Sequence, residues 1–291
     1  MHMASIVSKT TVKNGRVVLL GATGRLGNML RSFWPKRGDL ILHSTKQRLG
    51  FECFDLLQGT DALARLSEGA RMVICLPGVT PAAARATGAS LTQNTDLALA
   101  ALEGAAAAGA GRVLLASSAA VYGAGGEAHR ETCPCFPLSD YGQAKYVMEG
   151  KAAAAAKQLD QPLTIARIGN VAGADAILGD WHHGISIDKL ADGRTPRRSY
   201  VGPATLANLI YQLSLRADLP DILNIAAPGT VEMGALLDAA SLPWTPRAAG
   251  PGVIAKVELC TERLETYISF APESKTAAGM VREWQRLKAV Q

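Results

Sequence analysis

Tyr141 and Lys145 stand four residues apart in the segment Tyr141-Gly142-Gln143-Ala144-Lys145. On a helix that spacing puts both side chains on one face. A free phenol has a pKa near ~10, too high for proton exchange at neutral pH. A neighbouring ammonium favours the phenolate and lowers that value. The pair can therefore act as a general acid/base for interconverting a hydroxyl and a carbonyl. By itself Tyr-x-x-x-Lys is a common helical pattern. It gains meaning from Ser117-Ser118-Ala119-Ala120-Val121-Tyr122-Gly123, which follows the apolar run 112–116. A serine at the end of a buried strand can hydrogen-bond the reacting oxygen. Ser118 is the candidate for that role. A turn-capping hydroxyl is the purely structural alternative, and Tyr122 reads as a packing residue.

A second constellation precedes this one. Val17-Val18-Leu19-Leu20 runs into Gly21-Ala22-Thr23-Gly24-Arg25-Leu26-Gly27. Three glycines at intervals of three, after an apolar run and before a helical pattern, have the form of a dinucleotide phosphate cradle. Gly21 takes the tight turn, Gly24 lets a pyrophosphate approach the backbone, and Gly27 lets the helix pack on the strand. The helix N-terminus offers free N–H groups to the phosphates. Thr23, Arg25 and Leu26 belong to the same turn. Further on, Phe54-Asp55-Leu56 closes a short strand, where Asp55 can meet an adenine amino group; a solvated loop aspartate is the alternative. The run 40–43 leads into Ser44-Thr45-Lys46-Gln47-Arg48. An NAD-selective site places an acid there. None is present, and Lys46, Arg48 and Arg25 offer charge-assisted hydrogen bonds to a 2′-phosphate. The expected cofactor is NADP. The alternative is NAD, with Ser44 on its ribose.

These residues need a frame to hold them. Strand patterns at 16–20, 40–43, 71–76, 112–116 and 162–168 alternate with helical patterns ending near Trp34 and spanning 91–108 and 140–158. Ser139 is placed to cap the last of these. Alternation of this kind implies βαβ units, hence a doubly wound parallel α/β sheet with helices on both faces. The catalytic and glycine segments then share the sheet edge where ligands bind. Beyond Asn170 the pattern loosens. The segment 171–198 is rich in Gly, Asp, His and Arg, with a late strand at 222–226 and a helix at 231–240. The division expected is a dinucleotide domain over 1–173, with 201–227 returning to it, and a smaller substrate lobe over 174–291.

Taken in order, these motifs make the chain resemble the extended short-chain dehydrogenase/reductase superfamily, in particular the NAD(P)-dependent epimerase/dehydratase family. The resemblance covers 17–226. Its marks are the glycine cradle, Asp55-Leu56, Asn94 on the Ala-rich helix, the Ser118 segment and the Tyr141–Lys145 pair. Arg167-Ile168-Gly169-Asn170-Val171-Ala172-Gly173 and Arg198-Ser199-Tyr200-Val201 extend it. It implies a Rossmann-like fold with a smaller C-terminal substrate lobe. It implies that Ser118 binds substrate, with Ser117 the next choice, that Tyr141 is the acid/base, and that Lys145 also holds the nicotinamide ribose. Asn170 and Arg198 match positions that meet a nucleotide-sugar's phosphates. The family's dimers form through the helices carrying Asn94 and Tyr141, so a homodimer is an expectation here. One departure weakens the nucleotide-sugar reading. Gly202-Pro203-Ala204-Thr205 stands where the family carries a His-Val-x-Asp segment. The chain is also short for the family, so the lobe is expected to be small.

Composition narrows the rest. The chain has 291 residues, 48% of them hydrophobic and 19% charged, which excludes a disordered protein. The net charge is +5, but the basic residues are scattered and aromatics make up 5%. No basic stripe interleaved with aromatics marks a nucleic-acid surface. Five cysteines are an odd count that suits no disulfide framework. No spacing of Cys or His forms a zinc site, so no metal is expected. Cys53 and Cys75 sit in apolar runs and read as core thiols. No apolar stretch is long enough to cross a membrane, and a cytoplasmic setting is the default. Trp181-His182-His183 reads as a surface loop, with substrate contact as the alternative. The expected function is oxidation, reduction or epimerisation at a hydroxyl or carbonyl of a sugar-like or nucleotide-sugar substrate. The rival is a non-catalytic dinucleotide sensor.

Overall fold

Val17, Val18, Leu19 and Leu20 have no exposed surface. A run with no polar face belongs inside a sheet that is covered on both sides. In the computed structural model, which describes residues 15–290, this run is β1 (Val17–Leu20). It is followed by α1 (Arg25–Phe33), β2 (Leu40–Ser44), β3 (Glu52–Cys53), α2 (Thr60–Ser67) and β4 (Met72–Cys75). Then come α3 (Pro81–Thr87), α4 (Gln93–Ala107), β5 (Val113–Ser118), α5 (Asp140–Gln158) and β6 (Leu163–Ile168). The later chain gives β7 (Asn170–Val171), β8 (Ser186–Lys189), β9 (Arg197–Arg198), β10 (Tyr200–Val201), α6 (Pro203–Ser214) and β11 (Ile222–Ile225). It ends with β12 (Val231–Glu232), α7 (Met233–Ala239), β13 (Thr245–Ala248), β14 (Lys256–Val257), α8 (Glu262–Glu265) and α9 (Ala277–Ala289).

Seven strands form one parallel sheet in the order β11-β6-β5-β4-β1-β2-β3. The chain builds outward from β1 through β2 and β3, then returns to lay β4 on the other side of β1. A crevice opens at that reversal, at the C-terminal ends of β1 and β4. Side chains alternate across the sheet. Val17 and Leu19 pack with Met29 and Leu30 of α1 and with Leu206, Leu209 and Ile210 of α6. Val18 and Leu20 pack with Leu63 of α2, with Ala98, Ala101 and Leu102 of α4, and with Met148 and Ala152 of α5. The alanines of α4 and α5 are core residues that let the two helices lie close.

A third core gathers Ile187, Tyr200, Leu236, Leu237, Met280 and Trp284. It sits among three small sheets, β10-β7, β12-β9-β14 and β13-β8. Helix α6 covers the α1 face of the large sheet, and β11 extends its edge. The tail also contributes there, because Leu264 of α8 and Leu287 of α9 pack into that same core. No helix among the described residues is long and apolar enough to cross a membrane.

Three expectations need correction. Segment 231–240 opens as strand β12, and only then becomes helix α7. The loose region 171–198 holds the end of β7 and all of β8 and β9, whose short lengths leave little periodicity to read. Cys53 is exposed, because β3 is the outermost strand of the sheet and both of its residues face solvent. Cys75 is buried as expected.

The junction of β1 and α1 generates a test. A Cβ on Gly27 would lie 2.2 Å from the Gly21 carbonyl oxygen and 2.6 Å from Ala22 Cα. Both are backbone atoms and cannot turn aside. A Cβ on Gly24 meets only the Gly21 oxygen, at 3.4 Å. Gly27→Ala is expected to lose about 1–3 kcal/mol of stability by forced displacement, while Gly24→Ala stays near the parent. Thermal unfolding of the two variants decides it; an unchanged Tm for Gly27→Ala would contradict the packing described.

Candidate active site

β5 ends in two serines whose side chains take opposite courses. Ser117 is buried and donates to Glu149 Oε1 on α5. Glu149 forms an ion pair with Arg167 of β6 at 2.7 Å, with both side chains 5% exposed. The Arg167 guanidinium lies over the Tyr122 ring at 4.7 Å. The Tyr122 hydroxyl donates to Asn224 Oδ1 of β11 at 2.8 Å. This buried chain of contacts ties β5, α5, β6 and β11 together and uses up Ser117. Tyr122 packs, as read from the sequence. Ser118 is half-exposed at the strand end, where its Oγ accepts from Ala120 N at 3.2 Å.

Tyr141 and Lys145 lie on the first turns of α5. Ser139 caps that helix by accepting from Gly142 N at 3.1 Å. The missing side chain of Gly142 admits the Ala120 carbonyl, since a Cβ there would lie 2.5 Å from it. That contact sets Tyr141 beside the turn that follows β5, where Ser118 faces the phenol. Burial pushes the Tyr141 phenol up, and hydrogen bonding with Ser118 opposes the rise. Lys145 is 4% exposed, and its Nζ donates to the Ala116 carbonyl at 2.9 Å. Burial pushes its ammonium down to about 8, against the pull of Cys75 and Glu149. The expected net lowering of the phenol is not found, because burial outweighs what opposes it. The ammonium is directed at the last residues of strand β5.

Beside Lys145 lies Gly78, which is exposed. A Cβ on Gly78 would stand 2.5 Å from Asn94 Oδ1 and 3.4 Å from Lys145 Nζ. Asn94 is 1% exposed, and its Nδ2 donates to the carbonyls of Val79 and Leu91 at 3.0 and 2.9 Å. Its Oδ1 is buried without a partner. An unmet acceptor and an ammonium flanking a glycine suit the hydroxyls of a ribose.

The glycine turn has the form expected of a phosphate cradle. Gly21 has φ +73°, a left-handed conformation that favours glycine. Gly24 is the N-cap of α1 and carries no capping side chain, so the first N–H groups of the helix stay open to an anion. Thr23 is exposed and Leu26 half-buried. Arg25 departs from expectation. Its guanidinium pairs with Asp180 and donates to the Ala174 carbonyl at 3.3 Å, so it reaches the second lobe and not the end of β2. Ser44 is buried, and its Oγ accepts from Lys46 N at 3.1 Å. Asp55 is exposed, with Oδ1 accepting from Leu57 N at 3.0 Å. The Leu56 side chain is buried in the core, which leaves only its backbone for a ligand.

A cavity of about 480 Å³ lies between α1 and the segment after β2, lined by Thr23, Asn28, Arg31, Arg48, Leu49 and Phe51. Asn28 Oδ1 is buried without a partner. Arg31 has no signal in the sequence. It joins Arg48 only because 48–51 folds back over α1.

Asn170 and Arg198 meet around Tyr200. The Tyr200 hydroxyl donates to Asp175 Oδ2 at 2.7 Å, and both Asn170 and Arg198 act on the same phenol. Asn170 lies two residues beyond Ile168, the β6 partner of Ser118. Arg198 Nη1 donates to the Arg197 carbonyl at 2.7 Å. Trp181 packs against the third core and donates from Nε1 to the Pro243 carbonyl at 3.2 Å, while His182 and His183 are exposed beside it.

Comparison with known proteins agrees with this fold. The sequence model of the NAD dependent epimerase/dehydratase family matches residues 17–204. No curated protein sequence matches the chain. Among solved structures, the fold is similar to a UDP-glucose 4-epimerase from Stenotrophomonas maltophila with bound NAD. That alignment has a TM-score of 0.76 and 16% identity, covering 95% of this chain and 99% of that one. A dTDP-glucose 4,6-dehydratase from Streptomyces venezuelae with NAD bound aligns at TM-score 0.72 and 18% identity, over 94% and 98% of the two chains. The UDP-glucose 4-epimerase of Thermus thermophilus in complex with NAD gives 0.71 and 19%, over 95% and 100%. Each alignment covers nearly the whole of both chains.

The buried pair beneath Ser118 can be tested directly. Removing one partner of a buried ion pair strands the other charge and costs about 3–5 kcal/mol. Glu149→Ala is expected to lose that much in urea unfolding. The double variant Glu149→Ala/Arg167→Ala should lose less than the sum of the two singles. A Glu149→Ala cost below about 1 kcal/mol, the range of exposed pairs, would contradict the arrangement.

Proposed function

This chain belongs to the NAD dependent epimerase/dehydratase family, and we propose that it interconverts a hydroxyl and a carbonyl on a sugar-like or nucleotide-sugar substrate, with NADP as its dinucleotide. The observation that carries this reading is the convergence of Ser118, Tyr141 and Lys145 at the C-terminal edge of β5, beside the crevice into which the glycine turn opens. When bound, the dinucleotide supplies a hydride acceptor or donor. The Ser118 hydroxyl holds the reacting oxygen. The Tyr141 hydroxyl gives or takes the proton of that oxygen. Burial raises the phenol's pKa, so at neutral pH it carries its proton, ready to give it to a carbonyl. Lys145 Nζ and Asn94 Oδ1 lie against Gly78 and would hold the nicotinamide ribose. Asn170 and Arg198 would meet phosphates of the substrate. In this division 1–173 with 201–227 holds the dinucleotide, and 174–291 closes over the substrate. A non-catalytic sensor would need none of Ser118, Tyr141 and Lys145, and has less support.

The choice of NADP rests on the end of β2. No acid follows Ser44 before Arg48, and two guanidiniums, Arg31 and Arg48, line the cavity beside Thr23. A 2′-phosphate there gains charge-assisted hydrogen bonds. Thr23, Ser44 and Asp55 are assigned to the adenosine half, Gly21, Gly24, Arg25, Leu26 and Gly27 to the pyrophosphate turn, and Leu56 to a backbone contact. A second copy of the chain is the proposed cover for Tyr146 and Val147, which are exposed on α5. Five free cysteines suit a reducing, cytoplasmic setting.

Two measurements check the reading. Tyr141→Phe keeps the ring and loses the titrating oxygen. Turnover on a carbonyl panel is expected to fall about 10²–10⁴-fold, with dinucleotide affinity unchanged; full activity would remove Tyr141 from its role. Separately, calorimetric titration should show tighter binding of NADP than of NAD. The advantage should shrink with salt and in Arg31→Ala/Arg48→Ala, while Arg25→Ala leaves it in place. Equal affinities, or tighter NAD, would refute the preference.

A further inference from the structure

His43 near the end of β2 is 1% exposed, and it touches both halves of the dinucleotide site. Its carbonyl accepts from Ala22 N at 3.1 Å. Its ring Nδ1 faces Gly21 N at 3.4 Å, and Nε2 lies 2.9 Å from the Phe54 carbonyl. The Phe54 ring packs on the imidazole with centroids 4.2 Å apart. The Gly21 amide can only donate, and the Phe54 carbonyl can only accept. One state of the ring satisfies both: neutral, with the proton on Nε2 and the lone pair on Nδ1. In that state the imidazole bridges the turn that cradles phosphate and the segment that carries Asp55.

We propose that His43 is a positioning residue of the dinucleotide site, whose neutral ring holds the glycine turn in register with the adenine-facing segment and whose protonation weakens dinucleotide binding. The proposal rests on the reading that this turn binds a dinucleotide. A second ring proton would sit on Nδ1 and point at the Gly21 N–H, donor against donor. The turn would have to shift, or the ring rotate and abandon Phe54. Burial lowers the pKa of His43, against the Phe54 carbonyl and Asp55, which favour the charged ring. Two acids face the ring's surroundings: Asp55 beyond Phe54, and Glu52, which pairs with His43 across the β2–β3 register and is exposed. The cation of the glycine turn, Arg25, is engaged with Asp180. A leucine at position 43 would fill the volume but leave the Phe54 carbonyl and the Gly21 amide without these partners. A glutamine keeps a neutral donor for Phe54 and does not titrate.

The test is calorimetric titration of the full chain with NAD, which has no 2′-phosphate to titrate, from pH 5 to pH 8. Parent, His43→Gln and His43→Leu are compared, each with its Tm. The parent's affinity is expected to be level near pH 8 and to fall at the acid end, by at most about tenfold per pH unit for one proton. His43→Gln should be within about threefold of the parent at pH 8 and level throughout. His43→Leu should bind at least about tenfold more weakly at every pH, the scale of lost buried hydrogen bonds. A parent profile that is level to pH 5, or one that His43→Gln reproduces, would overturn the proposal, as would full affinity in a folded His43→Leu. If that variant fails to fold, the parent and glutamine profiles still decide. A parent that binds neither NAD nor NADP at any pH overturns the dinucleotide reading itself.

Discussion

The backbone of α1 lies against the Gly21 carbonyl with no room for a side chain between them, since a Cβ on Gly27 would stand 2.2 Å from that oxygen. The position of the helix N-terminus follows from this contact. It presses the open N–H groups of the first turn over the end of β1, beside the crevice made by the reversal of strand order. Gly24 stays clear of close backbone contacts, so the space above the turn is left to a ligand. On the far side of the turn, His43 secures Gly21 and Ala22 to β2. The room left there for the proposed phosphate is thus a property of how tightly one helix meets one strand.

The chemistry-bearing residues are fixed by a second set of buried contacts. Lys145 is anchored on the Ala116 carbonyl, Gly142 on the Ala120 carbonyl, and Glu149 on Ser117 and Arg167. All three belong to α5, and all three bind it to the end of β5 or its neighbour β6. One buried ion pair among them is weak evidence for stability, but it does set where the helix sits along the strand. Ser118 is left as the serine that faces Tyr141. Burial raises the phenol and lowers the ammonium to about 8, which moves their proton affinities apart.

The frame and the two main motifs were legible because they rest on local patterns. Four consecutive apolar residues define β1, and the spacings Gly21-Gly24-Gly27 and Tyr141–Lys145 survive in any fold that keeps strand and helix. The rest depends on distant contacts. The choice between Ser117 and Ser118 is set by Glu149 and Arg167, which strand pairing brings together. Arg25 reads as a phosphate ligand until Asp180 is folded next to it. Arg31 reads as a solvated helix residue until Arg48 and Phe51 close over it. Cys53 reads as a core thiol because its neighbours are apolar, yet β3 is an edge strand and exposes both of its residues. The small sheets of the second lobe are built from strands of two to four residues, too short for a period of two to register.

The central claim is that one dinucleotide lies across this edge, from the glycine turn to Lys145. The most direct measurement is a crystal structure of the protein with oxidised NADP. The account predicts the pyrophosphate on the first turn of α1, the 2′-phosphate between Arg31 and Arg48, and the nicotinamide ribose within hydrogen-bond reach of Lys145 Nζ, with the ring facing Tyr141. A dinucleotide bound elsewhere, or one whose nicotinamide end points away from Tyr141 and Lys145, would contradict it.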